Sequence, residues 1–482
     1  MSQTRSKFCH DKYDVVVVGS GPNGLAAAII MLQKGFSVAV VEAQSTAGGG
    51  CRSAELTLPG YIHDVCSSVH PLGFGSPFFR TLPLKEHGLE WLEPAAPFAH
   101  PFDGGKAIIV HRSIDETAEQ LGVDASHYKR FINGLLPRDW DAVCQVLRKP
   151  VEMLWHPINM TKFGLCAIQS TRGLASALFR TPEARGTFAG VAAHSSLRLD
   201  DIGSAAFGVV LEVAAHGVGW PIPRGGAQKI TDALISYMVS LGGELILSSP
   251  VDSLADLPEW RYLFLDLTPR QVLRIVGDRL QGLYRKQLEH YKYGPGSFKV
   301  DWALDGPIPW ANADCRLAGT VHIGGTMEEI AESELANWNG RHSERPYVLL
   351  VQSSLCDDTR APAGKHTAWA YCHVPNGSTF DMTERIENQI ERFAPGFQKL
   401  ILAKAVTTTA LMESKNANYI GGDINGGALT LGQLFTRPVP RVVPYCTPID
   451  GMYICSSASP PGGGVHGMCG YYAAHCALRG WR

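Results

Sequence analysis

The sequence predicts an α/β fold of two domains, one built on a parallel sheet and the other on a mixed sheet with helices. Three observations carry this expectation. An apolar strand runs into a glycine-rich turn and a helix across Asp14–Leu32. Between about 111 and 212 apolar residues recur at helical spacing, and after 286 segments alternate apolar and polar side chains at the period of a strand. The chain has 482 residues, and at ~100–200 residues per domain that length allows two to four units.

The first element is the most explicit. Val15 to Val18 are four consecutive valines, apolar on both faces, as in a buried parallel strand. Gly19, Gly21 and Gly24 follow as G-x-G-x-x-G, and Leu25–Leu32 continues as an alanine-rich helix that Gly35 ends. Ser37–Val41 is a second apolar strand with Glu42 at its tip. In such a unit Gly19 permits the tight turn, Gly21 lets backbone approach a pyrophosphate, and Gly24 lets helix and strand pack closely. The helix N-terminus offers free N–H groups and a positive dipole end to phosphates. Glu42, 18 residues after Gly24, stands where an acid would meet ribose hydroxyls. The order of strand, turn, helix, strand and acid predicts a Rossmann-like dinucleotide site.

Composition excludes several classes. Hydrophobic residues make up 45% and charged residues 18%, which is globular rather than disordered. The formal charge of −2 gives no field for gathering nucleic acid, so none is expected as a partner. Twelve cysteines show no CxxC or other ligand spacing, a usage that fits reduced, intracellular surroundings. The segment before Tyr13 is short and polar, without the apolar stretch of a secretory signal. No run of about 18 apolar residues predicts a membrane span. Cytoplasmic placement is expected, with the mitochondrial matrix as the alternative for a eukaryotic source.

Two further segments separate the candidate dinucleotides. Gly48-Gly49-Gly50-Cys51-Arg52 is a flexible backbone followed by a cation, suited to wrap a second phosphate face. Near the C-terminus a strand over 451–455 leads to Gly462, Gly464 and Gly467, and then to a helix start. The chain ends too soon for a second complete βαβ unit. A terminal helix aimed at the site instead suits a flavin, whose reduced ring carries negative charge.

Together with His63-Asp64-Val-Cys66-Ser-Ser-Val-His70-Pro71, Trp220-Pro-Ile-Pro-Arg224-Gly-Gly, Phe298–Gly306 and Ala368–Gly377, these segments resemble the phytoene desaturase-like branch of the FAD-dependent amine-oxidase superfold. Within that branch the match is to the subgroup named pyridine nucleotide-disulfide oxidoreductase domain-containing protein 2. The resemblance implies FAD as a tightly held cofactor. It implies contacts from Gly19, Gly21, Pro22, Asn23, Gly24, Glu42 and Ala43 in the first unit, and from Gly49, Gly50, Cys51, Arg52 and His70 after it. Val251 takes the position where the family meets adenine by backbone; Ser457, Gly463, Gly464, Val465 and His466 form the C-terminal contacts. Ser456-Ser457 replaces the Gly-Asp with which many FAD proteins end the last strand. No CxxxxC pair follows the first turn, which disfavours disulfide reductase chemistry.

The expected layout is discontinuous: an FAD-binding domain from residues 13–110, 213–285 and 436–482, and a substrate domain from 111–212 and 286–435. Ser113 and Glu116 read as a capping box. Ile230, Leu234, Met238 and Leu241 form one stripe of a helix, as do Met382, Ile386, Ile390 and Phe393. Phe298, Val300, Trp302 and Leu304 alternate with Lys299, Asp301, Ala303 and Asp305, the pattern of a half-buried strand.

Candidate chemistry is thinner. In the wider superfold a lysine on a substrate-domain strand can hold water near flavin N5, so Lys299 is a catalytic candidate, against burial in a pair with Asp301 or Asp305. Thr367, Trp369, Tyr371 and His373 share a strand face; Trp369 reads as substrate wall, and Tyr371 and His373 as acid/base candidates, against plain sheet core. Arg437-Pro438 resembles the family's Arg-Pro, which makes Arg437 a substrate-side candidate. His63, His70, His194 and His216 lack a metal-ligand spacing, and no metal is expected. The tract Pro137–Phe179, with Trp140, Met153, Trp155, Met160 and Phe163, reads as core helices, with peripheral membrane contact or a lid as the alternative. The expected reaction is hydride transfer to flavin from a largely apolar small molecule, with reoxidation by oxygen, a quinone or another acceptor. The rivals are a redox-neutral isomerase using reduced FAD, an amine or amino-acid oxidase, and a non-catalytic flavoprotein.

Overall fold

The computed structural model describes residues 8–136 and 157–481. Trp140, Met153 and Trp155, with residues 137–156 of the candidate membrane tract, fall outside the described residues. No helix among those described is long and apolar enough to cross a membrane.

Two sheets organise the molecule. The first has five parallel strands in the order Met452–Ile454, Glu259–Leu265, Lys12–Val18, Val38–Val41 and Glu244–Ile246. Its central strand carries the four valines, all buried, in register with Val38–Val41 on one side and Tyr262–Leu265 on the other. Burial on both faces is what an unbroken valine run requires. The register brings the ends of four neighbouring strands together, so that Gly19, Glu42, Asp266 and Cys455 follow their last paired residues side by side. In open parallel sheets ligands bind in the crevice beyond these carboxyl ends.

The helix Pro22–Gln33 packs against the terminal helix Met468–Leu478 at unusually close range. A Cβ at Gly470 would lie 1.8 Å from the Asn23 carbonyl oxygen, so only glycine admits this contact. One at Gly24 would lie 2.2 Å from the Gly19 carbonyl oxygen, which is the tight helix–strand approach the motif predicts.

The second sheet has seven strands in the order Ile401–Thr407, Gly296–Leu304, His366–Val374, Val348–Val351, Ala318–Ile323, Ala96–Pro101 and Ala107–Val110. Pairing is antiparallel except between Ala318–Ile323 and Ala96–Pro101. The last two strands come from residues 96–110, so the first piece of the dinucleotide-type unit ends before the 13–110 boundary expected from sequence. Chain order cannot reveal that a strand pairs with partners more than 200 residues away.

The strand Gly296–Leu304 departs from its expected half-buried character, because every residue in it is buried. One face, with Phe298, Val300 and Trp302, meets the helix Thr383–Phe393 through Ile386, Ile390 and Phe393. On the other side of the sheet, Trp369 and Tyr371 of the adjacent strand join a cluster with residues of Pro182–Ala192, Ala205–Gly217 and Met327–Trp338. Alternation records that two faces differ in polarity, and here the polar face is covered too. Ser113 caps its helix by accepting from the Glu116 N–H at 3.2 Å.

Candidate functional site

A cavity of about 380 Å³ runs from the carboxyl ends of the parallel strands towards the second sheet. Gly19, Gly21, Pro22 and Asn23 form one wall at its origin, with Glu42, Ala43 and Gln44 beside them. The Glu42 carboxylate accepts from the Ser20 N–H at 3.0 Å, the Ser20 hydroxyl at 2.6 Å and the Gln44 N–H at 2.9 Å. It thereby ties the glycine turn to the tip of the second strand. The Ser249 N–H donates to the Glu42 carbonyl at 2.9 Å, which carries Ser249, Pro250 and Val251 along the same wall.

Gly49, Gly50, Cys51 and Arg52 continue the lining. Arg52 is braced by backbone, its Nε donating to the Gly49 carbonyl at 2.7 Å and Nη2 to the Lys415 carbonyl at 3.0 Å. Ser457, Gly463, Gly464 and Val465 close the opposite side, and His70 stands beside them. Burial pushes the His70 imidazole down to about 4, so it is neutral at neutral pH. Its Nε2 and the Asn23 Oδ1 are buried polar atoms without a hydrogen-bond partner among the described residues, and both residues line the cavity. A cradle of bare glycine backbone with unspent buried polar atoms fits a polar group such as a dinucleotide.

The residues implied by family resemblance divide in the structure. Those above line the cavity, whereas Gly24 and His466 lie behind its wall. The Gly24 N–H is spent on Asp266 Oδ2 at 3.1 Å. His466 Nδ1 accepts from the Met468 N–H at 3.0 Å at the start of the terminal helix, a local structural role.

Among the chemical candidates only Tyr371 lines the cavity. Burial raises its phenol well above the ordinary range, so the hydroxyl keeps its proton at neutral pH. Lys299 is corrected most sharply: it is buried in an ion pair with Asp301, and its ammonium lies 4.9 Å from the Trp369 ring centre. Trp369 turns from the cavity to donate its Nε1–H to Ser68 Oγ at 2.7 Å. Arg437, fully buried, donates to the Tyr291 hydroxyl at 3.0 Å, and its Nη1 would lie 3.0 Å from a Cβ on Gly462. It sits behind the C-terminal glycine loop rather than against a substrate. His373 is also set back from the lining. The sequence suggests Lys299 near the reacting atoms, Trp369 as substrate wall, His373 as acid/base and Arg437 beside the substrate; in each case a buried partner holds the side chain off the cavity.

The structure adds residues the sequence left unmarked. Lys415, Asn416, Asn418 and Tyr419 form a long wall; the Asn418 amide donates to the Asp266 carbonyl at 2.9 Å and accepts from the Thr268 N–H at the same distance. Asn425, Ile424, Phe207, Leu211 and His194 enclose the far end. The run Asn416-Ala-Asn418-Tyr419 reads locally as a polar turn, and nothing local ties it to a strand end 150 residues earlier. His194 pairs with His322, His216 with Tyr128, and His63 with Thr57, each through a ring nitrogen.

Known proteins echo this arrangement. The NAD(P)-binding Rossmann-like domain family matches residues 17–82. A rat pyridine nucleotide-disulfide oxidoreductase domain-containing protein 2 is 24% identical over 97% of this chain and 94% of its own. A neurosporene-forming phytoene desaturase from Rhodobacter capsulatus is 23% identical over 94% and 91% of the two chains. The chain resembles the phytoene desaturase-like oxidoreductases along nearly its whole length. Its architecture is likewise shared with putrescine oxidase bound to putrescine, at a TM-score of 0.62 and 18% identity over 97% and 98% of the chains. At that identity the likeness speaks for the fold.

Proposed function

We propose that this chain is an FAD-dependent oxidoreductase that takes hydride from a largely apolar organic substrate. The carrying observation is the continuity of one cavity. It begins at the glycine turn and Glu42, passes Arg52 and the Gly463–Val465 loop, and ends among Phe207, Leu211, Ile424 and Tyr371. A phosphate-compatible end and an end where Phe207, Leu211 and Ile424 stand with the polar Asn425, His194 and Tyr371 suit a cofactor and a largely apolar substrate held end to end.

When bound, the flavin supplies a two-electron acceptor and the chain supplies position. The glycine turn presents backbone to phosphates, Glu42 stands for ribose hydroxyls, and Val251 for adenine. Neutral His70 adds polarity without charge. Tyr371 offers its hydroxyl proton to orient a polar atom of the substrate, while Phe207, Leu211 and Ile424 exclude water. With one dinucleotide-type unit present, reoxidation by oxygen, a quinone or another acceptor is favoured over a bound nicotinamide. Trp369 and Arg437 stand outside the cavity, which weighs against an aromatic cage with a carboxylate-binding arginine as in the amino-acid oxidase alternative.

The test is an anaerobic visible spectrum of purified protein before and after NADPH. A flavin spectrum unchanged by NADPH, then bleached by a member of a panel of lipids, carotenoids and amines, is the expected result. Rapid bleaching by NADPH would favour a reductase or reduced-flavin isomerase, and a colourless protein that FAD cannot reconstitute would overturn the reading.

A further inference from the structure

Behind the far end of the cavity lies a chain of four polar residues from four separate segments. Glu334, on the helix Met327–Trp338, accepts from His373 Nδ1 at 2.9 Å. His373 Nε2 meets Ser196 Oγ at 2.9 Å. The Asn425 amide reaches the same oxygen at 3.4 Å, and Asn425 lines the cavity. Glu334, His373 and Ser196 are all buried.

The direction of the bonds follows from what each group can give. A carboxylate only accepts, so the proton on His373 stands on Nδ1. Its Nε2 then accepts from the Ser196 hydroxyl, whose oxygen in turn accepts from the Asn425 amide. The other carboxylate oxygen of Glu334 has no hydrogen-bond partner among the described residues, so within that set His373 is the one group hydrogen-bonded to this carboxylate. Ser196 is one of two non-glycine residues with positive φ among those described, at φ 55, where it ends the short helix Ala193–Ser195. Its carbonyl is pinned by the Trp338 indole N–H at 2.9 Å.

The same three side chains would suit a nucleophilic serine, but the surrounding backbone does not. The Ser196 N–H is spent on the Ala193 carbonyl at 2.9 Å, and the Leu197 N–H on Ser195 Oγ at 3.3 Å. Neither is free to stabilise an oxyanion, so acyl transfer lacks its main electrostatic support.

We infer that Glu334, His373 and Ser196 form a proton relay that opens into the cavity beside Asn425. This rests on the oxidoreductase reading and names where the proton goes when substrate gives up hydride. The bond from Asn425, the longest in the chain, is the one most readily exchanged for a cavity group. That group passes its proton to Ser196 Oγ as the Ser196 proton moves to His373 Nε2. One O–H bond forms at Ser196 as another breaks, one N–H bond forms at His373, and the positive charge rests beside the Glu334 carboxylate. The hydride and its two electrons leave with the flavin-class acceptor. His194, Tyr347 and Tyr371 also face His373. Neither Ser196 nor His373 lines the cavity, so a cavity group reaches Ser196 Oγ only in the place that Asn425 gives up.

The test is 15N NMR of the purified, deuterated, 15N-histidine-labelled protein, read for the His373 tautomer and for exchange of its N–H with solvent. Wild type is expected to carry the proton on Nδ1. Ser196→Ala and Ser196→Gly are expected to slow its exchange by about tenfold or more. Ser196→Gly adopts the same φ without strain and guards against misfolding. A proton on Nε2 in wild type, or exchange unchanged or faster in both variants, would overturn the relay. The readout needs no turnover, so a colourless preparation would sink the flavin reading while the exchange rates still decide the relay.

Discussion

Asp266 accepts a hydrogen bond from the Gly24 amide at 3.1 Å, although 242 residues separate them. A carboxylate thus occupies the N-terminal turn of the helix Pro22–Gln33, at the wall of the cavity. Burial, the dominant influence, raises Asp266 from the ordinary 3.8 to about 7; the Glu42 charge adds to this, while the backbone N–H groups of Gly24 and Gly21 oppose it.

That shift sets a stability profile. Below about pH 4 Asp266 is protonated both folded and unfolded, and contributes nothing. Between about 4 and 7 the unfolded chain releases the proton while the folded chain keeps it, so stability falls as pH rises, by up to about 4 kcal/mol once pH exceeds 7. Asp266→Asn keeps an acceptor for Gly24 and removes the titration. Urea midpoints at matched cofactor loading should converge for variant and wild type near pH 4 and separate in the variant's favour by pH 8. Parallel profiles would refute the assignment.

Lys299 should matter to folding before chemistry. Lys299→Met strands the buried Asp301 carboxylate beside His63 at 3.5 Å, whose imidazole burial pushes down to about 3 and so leaves neutral, and should cost about 3–5 kcal/mol. Lys299→Met combined with Asp301→Leu should recover most of that loss, as apolar replacements of buried pairs commonly do. Denaturant unfolding of both variants measures the difference; a double variant no more stable than the single one would argue that the lysine serves another partner.

Gly470 joins the two helices that frame the glycine turn. In Gly470→Ala the new methyl group meets backbone on three sides, at 1.8 Å from Asn23 O, 2.7 Å from Asn23 C and 3.0 Å from Ala27 N. The helices must separate, at about 3 kcal/mol or more. Thermal melting should show the loss, and FAD titration should show weakened binding because Asn23 moves with its helix.

Glu42 holds Ser20 and Gln44 through three hydrogen bonds at the cavity edge. Glu42→Ala should loosen the turn and remove the acid proposed for the ribose. With charge-assisted bonds each contributing about 1.5–3 kcal/mol, FAD affinity should fall about 10- to 100-fold by fluorescence titration. Unchanged affinity would show that ribose is held elsewhere.

The glycine turn, the valine strand and Glu42 were legible in the sequence because they lie within one local run of the chain. Strand, turn and helix declare themselves through burial periodicity and backbone freedom. The helical stripes of Ile230–Met238 and Met382–Phe393 were readable for the same reason. Alternation also sets Lys299 opposite Phe298, Val300 and Trp302, and Trp369 with His373 on one face of their own strand; that the two faces form one surface came only with the pairing of the strands.

Alternation does not say what covers that surface. Asp301 and Trp369 drew Lys299 inward, Ser68 drew Trp369, and Glu334 with Ser196 drew His373 behind the cavity wall. Asp266, Asn418, Asn425 and His194 came to the site from strand ends and loops far apart in the chain, with no local pattern to mark them. The sequence by itself determined the α/β class, the turn prepared for a dinucleotide and the faces of the elements, because those depend on neighbours a few residues away. Only the tertiary structure decided which polar groups look into the cavity and which are spent on one another, because that depends on which distant partner satisfies a buried charge or hydrogen bond.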